Sequence, residues 1–190
     1  MFFNVPNAIT LGRILIIPVL AALLGFQEHH GDDTTNRLLS LWAAGVFTAA
    51  GISDLVDGYY ARKYGAVSVA GKFFDPLADK LIHMTAMIYL IPLERMAPWL
   101  VVALLFREIF ITGLRSMAAG EGLIIDAAEW GKKKTAWLNV GITALIIHYP
   151  FLGLNSHFIG LVCVAIGAIY SILSAVQYSV VFFKTMKAKG

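Results

Sequence analysis

Hydrophobic residues fall in six long blocks, at about 7–26, 38–60, 72–92, 97–118, 133–150 and 156–183, and most of the polar residues gather between them. Each block approaches the roughly 20 apolar residues that a helix needs to cross a bilayer. The pattern predicts an all-α, polytopic membrane protein with six transmembrane helices, forming one domain over residues 1–190. The sixth block is long enough to leave the membrane as a helix.

Composition agrees with that reading. The 190 residues are 58% hydrophobic and only 14% charged, against roughly 25% charged in soluble domains. Mean hydropathy is +0.74. The single cysteine, Cys163, excludes an intrachain disulfide and is expected to pack as a small apolar residue in the last helix. A cleaved secretory signal is not expected, because Pro6, Asn7 and Thr10 come before any basic residue and Arg13 falls inside the first apolar block. No internal repeat, low-complexity segment or interdomain linker interrupts the series.

The formal net charge of +3 says less than its placement. Segment 27–37 holds Glu28, Asp32 and Asp33 against Arg37, the turn near 92–97 holds Glu94 and Arg95, and the turn near 149–156 has no Lys or Arg. The other connections carry Arg62, Lys63, Lys72, Arg115, Lys132, Lys133 and Lys134, and the C-terminal tail carries Lys184, Lys187 and Lys189. The excess of Lys and Arg on cytoplasmic loops then puts both termini on the cytoplasmic side, in what is expected to be a bacterial inner membrane. Trp42, Trp99, Trp130 and Trp137 lie near predicted span ends and are expected to form interfacial belts. Residues 1–6 are expected to lie along the membrane surface. The expected partners are membrane lipid and small substrates, with no nucleic acid.

Four aspartates break the apolar pattern. Asp54 and Asp57 close the second block, and Asp75 and Asp79 open the third. A carboxylate at the bilayer centre costs about 2.5–3.5 kcal/mol on insertion scales, so four in one short stretch call for an offsetting charge or a function. Spacings of three and four put each pair on one face of its helix. Gly71 and Ala61 continue those faces, and Gly58 sits beside Asp57. Small residues there leave room for a ligand or a neighbouring backbone. Two such pairs at one depth make an oxygen-rich cage suited to Mg²⁺ or Mn²⁺. Four carboxylates can hold two divalent ions about 3.5–4 Å apart, as in displacement at phosphorus. An ion pathway, or salt bridges to Arg62, Lys63, Lys72 and Lys80, are the alternatives. Neither explains the small residues on the same faces.

The order Asp54-x2-Asp57-Gly58-x2-Ala61-Arg62-x8-Gly71-x3-Asp75-x3-Asp79 resembles the signature of the CDP-alcohol phosphotransferase family, with every specified position present. The resemblance implies a homodimer of six-helix subunits and two divalent metal ions held by Asp54, Asp57, Asp75 and Asp79. It also implies transfer of a phosphoalcohol group from a CDP-linked donor to an acceptor hydroxyl, with Asp79 as the general base. Flanking segments resemble the branch that moves a phosphatidyl group from CDP-diacylglycerol to sn-glycerol 3-phosphate in phospholipid biosynthesis. These are Val5-Pro6-Asn7 with Thr10 and Arg13, Asp75-Pro76 with Asp79-Lys80, Arg107-Glu108 with Arg115, and Gly131-Lys132 with Lys134-Thr135.

On that resemblance, Asn7, Thr10, Arg13, Gly58, Ala61, Arg62 and Gly71 are the expected donor-binding residues. The acceptor carries its own phosphate, so a second anion site is expected from Arg107, Arg115, Lys132 and Lys134. An Arg107–Glu108 ion pair and anchoring of the lysines on anionic lipid are the structural alternatives. The rival functions are the same chemistry on inositol phosphate, serine or phosphatidylglycerol, a divalent-cation transporter, and an inactive scaffold. His29, His30, Asp32 and Asp33 lie in the predicted outer loop, His83 borders the aspartates or simply packs, and His148 and His157 read as interfacial. Glu121, Asp126 and Glu129 fall in a connection where a short helix could cover the acceptor entrance.

Overall fold

The computed structural model describes the backbone of residues 5–29, 33–64, 69–123 and 129–189, and the side chains of residues 12–27, 33–53, 77–123 and 129–188. Six helices make up almost all of it: α1 (Val5–His29), α2 (Asp33–Tyr64), α3 (Val69–Tyr89), α4 (Pro98–Gly120), α5 (Glu129–Ile147) and α6 (Ser156–Lys189). Among the described residues the only β pairing is one isolated bridge, Phe151 with Leu154. The all-α expectation agrees with this. By composition alone, one helix of the described residues is long and apolar enough to cross a membrane, over Ser156–Ala188, and Gly12–Gln27 is a shorter apolar segment. Arg107, Glu108 and Arg115 in α4 and Lys132, Lys133 and Lys134 in α5 dilute two of the other helices.

Several ends follow from local chemistry. Pro98 starts α4 at a first-turn position, where a missing N–H costs nothing. After α3 the chain turns through Glu94, whose φ of 56° lies in the left-handed region. α5 stops where His148 takes φ 59°. Between α5 and α6, Leu152 (φ 52°) and Gly153 (φ 79°) form the two-residue turn closed by the Phe151 and Leu154 bonds.

Packing joins these helices into one body. α5 and α6 make the most extensive contact, α1 packs on α2 and α3, α2 on α5, and α4 on α6. The closeness of α5 and α6 is written in glycine. A Cβ on Gly141 would sit 2.7 Å from a Val164 methyl and 2.8 Å from the Val164 backbone nitrogen, and one on Gly160 would sit 2.9 Å from the Leu145 nitrogen. The main core runs through Leu20 and Leu24 of α1, Ala43 and Phe47 of α2, Ala86 of α3, Val101 of α4, Leu145 of α5 and Val164 of α6. A second cluster joins Ile111, Leu114 and Ala118 of α4 to Tyr178 and Phe182 of α6. Cys163 is buried in α6, as expected.

One end of the bundle is tied by a single side chain. Arg95, 4% exposed, reaches from the α3–α4 turn to donate to the Ser40 hydroxyl (3.2 Å) and the Ile146 carbonyl (2.8 Å). Its guanidinium lies 5.9 Å from the centre of the Tyr149 ring. Ser40 in turn donates to Gln27 Oε1 (2.8 Å), so α1, α2, α5 and the α3–α4 turn share one network. Burial lowers the Arg95 pKa to about 10, with nearby Tyr149 opposing the shift. Arg37 donates to the Pro150 carbonyl at the same end, and His148 and His157 face each other there with their Nδ1 atoms 3.2 Å apart. Trp42, Trp99, Trp130 and Trp137 are all exposed.

Candidate functional site

The candidate site is built at the other end, where α2 finishes and α3 begins. Asp54, Asp57, Gly58, Ala61 and Arg62 lie on the last turns of α2, and Gly71 and Asp75 on the first turns of α3. Asn7 and Thr10 lie near the start of α1. The side chains of these nine residues lie outside those described, as do those of Lys63 and Lys72. The helical backbone keeps the register that puts each aspartate pair on one face. Only four residues join Tyr64 to Val69, so these ends stand within about 18 Å of each other even for a fully extended link. Residues 1–4, His30, Asp32 and Asp126 lie outside the described residues, as does the 124–128 part of the connection that could hold a short helix. The side chain of His29 lies outside those described, and Asp33 is exposed at the start of α2.

The described part of the site centres on Asp79, which borders two cavities. The smaller, about 80 Å³, lies between α3, α4, α5 and α6, against Lys80, Glu108, Lys134, Thr135 and Ser171. The larger, about 420 Å³, lies between α1, α2, α3 and α5. Its wall is mainly apolar, with Phe47, Ala50, Ile52, Ile82, Val140 and Ile147, and includes Arg13. Arg13 is 2% exposed, so it faces the interior instead of snorkelling to the interface. Among the described residues, Asp79 and His83 alone line both cavities.

His83 is held on three sides. Its Nδ1 lies 2.8 Å from the Asp79 carbonyl oxygen and 3.5 Å from Asp79 Oδ1. Its Nε2 meets Oδ1 of the Asn139 side-chain amide on α5. Its ring stands edge-on to Phe47 of α2, 5.4 Å between centroids.

Glu108 organises the charge beside the smaller cavity. Its Oε2 accepts from Lys134 Nζ at 2.7 Å and from Arg107 Nη1 at 3.0 Å. Arg107 spends two further donors within the protein: Nε on the Ser171 carbonyl (3.0 Å) and Nη2 on the Ser174 hydroxyl. The Thr112 hydroxyl accepts from Lys80 Nζ (2.8 Å) and donates to the Glu108 carbonyl (2.7 Å). Buried ions are tolerated when paired and hydrogen-bonded in this way.

The four anion-site candidates therefore sit in different places. Lys134 is buried and lines the smaller cavity. Arg107 is turned toward α6. Arg115 is exposed, 5.5 Å over the Tyr178 ring, and Lys132 is exposed at the start of α5. Lys80, which the sequence suggested only as a counter-charge for the aspartates, joins Lys134 at the cavity wall. Asn139 carried no signal in the sequence: it is one polar residue in an apolar block. Among the described residues no group of three or more His, Cys, Asp or Glu side chains stands close enough to share a metal ion, and three of the four motif aspartates are not among them.

The chain matches the model of the CDP-alcohol phosphatidyltransferase family over residues 3–178. It is 40% identical over 154 residues to the CDP-diacylglycerol–glycerol-3-phosphate 3-phosphatidyltransferase of Bacillus subtilis (strain 168), covering 78% of this chain and 80% of the relative. The protein of the same name from Mycoplasma pneumoniae is 35% identical over 158 residues, 78% of this chain and 70% of the relative. That of Rickettsia felis is 31% identical over 176 residues, 92% and 93% of the two chains.

Proposed function

Starting from a chain that belongs to the CDP-alcohol phosphatidyltransferase family, we propose that it transfers the phosphatidyl group of CDP-diacylglycerol to sn-glycerol 3-phosphate. The products are phosphatidylglycerol phosphate and CMP. The names of its relatives support both substrates. The observation that carries the reading within this molecule is the position of Asp79 between a smaller cavity with Lys80, Glu108 and Lys134 in its wall and a larger, mainly apolar one.

The smaller cavity suits the acceptor. Lys80 and Lys134 line it, and an ammonium is a compact point charge that binds phosphate without a fixed geometry. The larger cavity, with Arg13 in its wall, suits the lipid side of the donor. Asn7, Thr10, Gly58, Ala61, Arg62 and Gly71 are assigned to the nucleotide end, and Arg107 to holding Glu108 and α6 in place. Arg115 and Lys132 add positive potential outside the cavity, which favours approach of an anionic acceptor.

Asp54, Asp57, Asp75 and Asp79 fit a pair of hard divalent cations, Mg²⁺ or Mn²⁺, because they offer only oxygen ligands in two pairs on adjoining helix ends. When bound, such ions neutralise the pyrophosphate and the departing CMP. The protein's own step is a proton transfer. Asp79 takes the proton of the acceptor's primary hydroxyl as that oxygen bonds to the β-phosphorus of the donor. The bond from that phosphorus to the bridging oxygen breaks, and the electron pair leaves with CMP.

The six helices are assigned as six spans, over about 7–26, 38–60, 72–92, 97–118, 133–150 and 156–183, in a bacterial inner membrane. Loop charge supports a cytoplasmic site and cytoplasmic termini, and the exposed apolar faces of α4 and α6 suit lipid or a second subunit of a homodimer.

The test is an acceptor screen on purified protein in CDP-diacylglycerol micelles, with Mg²⁺ and with Mn²⁺. CMP release should require glycerol 3-phosphate. Turnover with inositol phosphate, serine or phosphatidylglycerol but not glycerol 3-phosphate overturns the acceptor. Divalent-ion flux into liposomes without any CMP release overturns the class.

A further inference from the structure

We infer that His83, held by Asn139, is a positioning residue that sets the orientation of the Asp79 carboxylate. This rests on the assignment of Asp79 as the base. His83 stands one helical turn after Asp79, so its ring can reach back along α3. Its Nδ1 lies 2.8 Å from the Asp79 carbonyl oxygen, which can only accept, so Nδ1 carries the hydrogen. The same Nδ1–H lies 3.5 Å from Asp79 Oδ1. A small side-chain rotation of Asp79 turns that approach into a hydrogen bond.

In a neutral imidazole the second nitrogen must accept. Nε2 meets Oδ1 of the Asn139 amide, and turning that amide over about its own axis puts the NH₂ there as the donor a neutral imidazole needs. In that orientation Asn139 fixes which nitrogen of His83 bears the hydrogen, and the edge of Phe47 fixes the plane of the ring. The consequence is a division of labour between the two carboxylate oxygens. One is held toward the imidazole, and the other is left to face the acceptor hydroxyl. Partners of this kind, one step behind the reacting carboxylate, are worth roughly 10–100-fold in activity at comparable sites.

Packing alone predicts a different result from positioning, and kinetics separate them. His83→Leu fills the space without a donor. It is expected to lower kcat roughly 10–100-fold while KM for glycerol 3-phosphate and for CDP-diacylglycerol stay within about twofold, the signature of a contact made in the transition state. His83→Asn places an amide N–H close to the Nδ1 position and is expected to recover kcat to within about threefold of the parent. Asn139→Leu should lower kcat in the same direction, and its effect should not multiply with that of His83→Leu, because both act through one hydrogen bond.

A His83→Leu enzyme with parental kcat, a His83→Asn enzyme as slow as His83→Leu, or fully multiplicative effects of the two leucine variants would each overturn the inference. If His83→Leu does not fold, His83→Asn and Asn139→Leu carry the same test. Asp79→Asn serves as the reference. If it turns over normally, the base assignment itself fails. If it is inactive while His83→Leu is normal, this inference alone fails.

Discussion

The Lys134 ammonium lies 2.7 Å from Glu108 Oε2, at the wall of the smaller cavity. Glu108 also takes a bond from Arg107, so one carboxylate balances two cations while one of them faces the cavity. Lys134→Met should raise KM for glycerol 3-phosphate about tenfold, the equivalent of one charge-assisted hydrogen bond of roughly 1.5 kcal/mol. KM for CDP-diacylglycerol should stay within about twofold. Initial rates at varied acceptor and fixed donor measure this. An equal rise in both KM values would place Lys134 away from the acceptor.

Glu108→Gln should act first on the fold. It leaves Arg107 and Lys134 close together with no anion between them, and breaking a buried ion pair by removing one partner costs roughly 3–5 kcal/mol. Glu108 keeps 32% of its side chain exposed, which brings the expected loss to about 2 kcal/mol or less. A lowered unfolding midpoint in detergent is the readout. An unchanged midpoint would mean that the Arg107 bonds to Ser171 and Ser174 are sufficient by themselves.

The sequence made the helices legible and the site only in part. Each helix contains or closely overlaps its apolar block, because burial in lipid or core imposes the same demand on every turn. The ends were less legible: α2 starts at Asp33 and runs to Tyr64, beyond the 38–60 block, since polar residues continue a helix once they face solvent or a site. The aspartate motif is local, so spacing alone reveals it. The surroundings of Asp79 are not local. His83 meets Asn139 across 56 residues, and Arg107 meets Ser174 across 67. A serine or asparagine inside an apolar block gives no hint of its partner until the helices are packed.

Arg95 offers a variant that separates folding from chemistry. It ties the turn after α3 to Ser40 and Ile146, at the opposite end from the aspartates. Arg95→Ala removes two buried hydrogen bonds from a charged donor and leaves their acceptors unmet, a loss of roughly 2–3 kcal/mol. Its unfolding midpoint should fall clearly, while kcat of the folded fraction stays within about twofold of the parent. A selective loss of kcat with parental stability would contradict the role given to this network.

Gly141 predicts how tightly α5 must sit on α6. A Cβ there would meet Val164 at 2.7 Å and its backbone nitrogen at 2.8 Å. The side-chain contact can yield, but the backbone contact can yield only if the helices separate. Gly141→Ala should therefore destabilise by about 1–3 kcal/mol. Gly113→Ala, where nothing stands within 4 Å, should be neutral or slightly stabilising through helix propensity. Comparison of the two unfolding midpoints removes the propensity contribution. Equal midpoints would mean that the α5–α6 approach is looser than drawn.

The sharpest prediction concerns the division of roles among the aspartates. Asp79 borders both cavities, whereas Asp54 stands on the other helix of the motif. Asparagine keeps the size of aspartate but loses the charge and the capacity to take a proton at neutral pH. Asp79→Asn should reduce CMP release by about a thousandfold, within the range that general-base catalysis supplies, while binding of CDP-diacylglycerol remains measurable by isothermal titration. Asp54→Asn should lower turnover and also shift the Mg²⁺ or Mn²⁺ concentration needed for half-maximal rate, because one of the oxygen ligands has lost its charge. The two variants thus differ in metal titration and not merely in rate. Near-parental turnover by Asp79→Asn, or an unshifted metal requirement in Asp54→Asn, would break the assignment of base and ligands to these carboxylates.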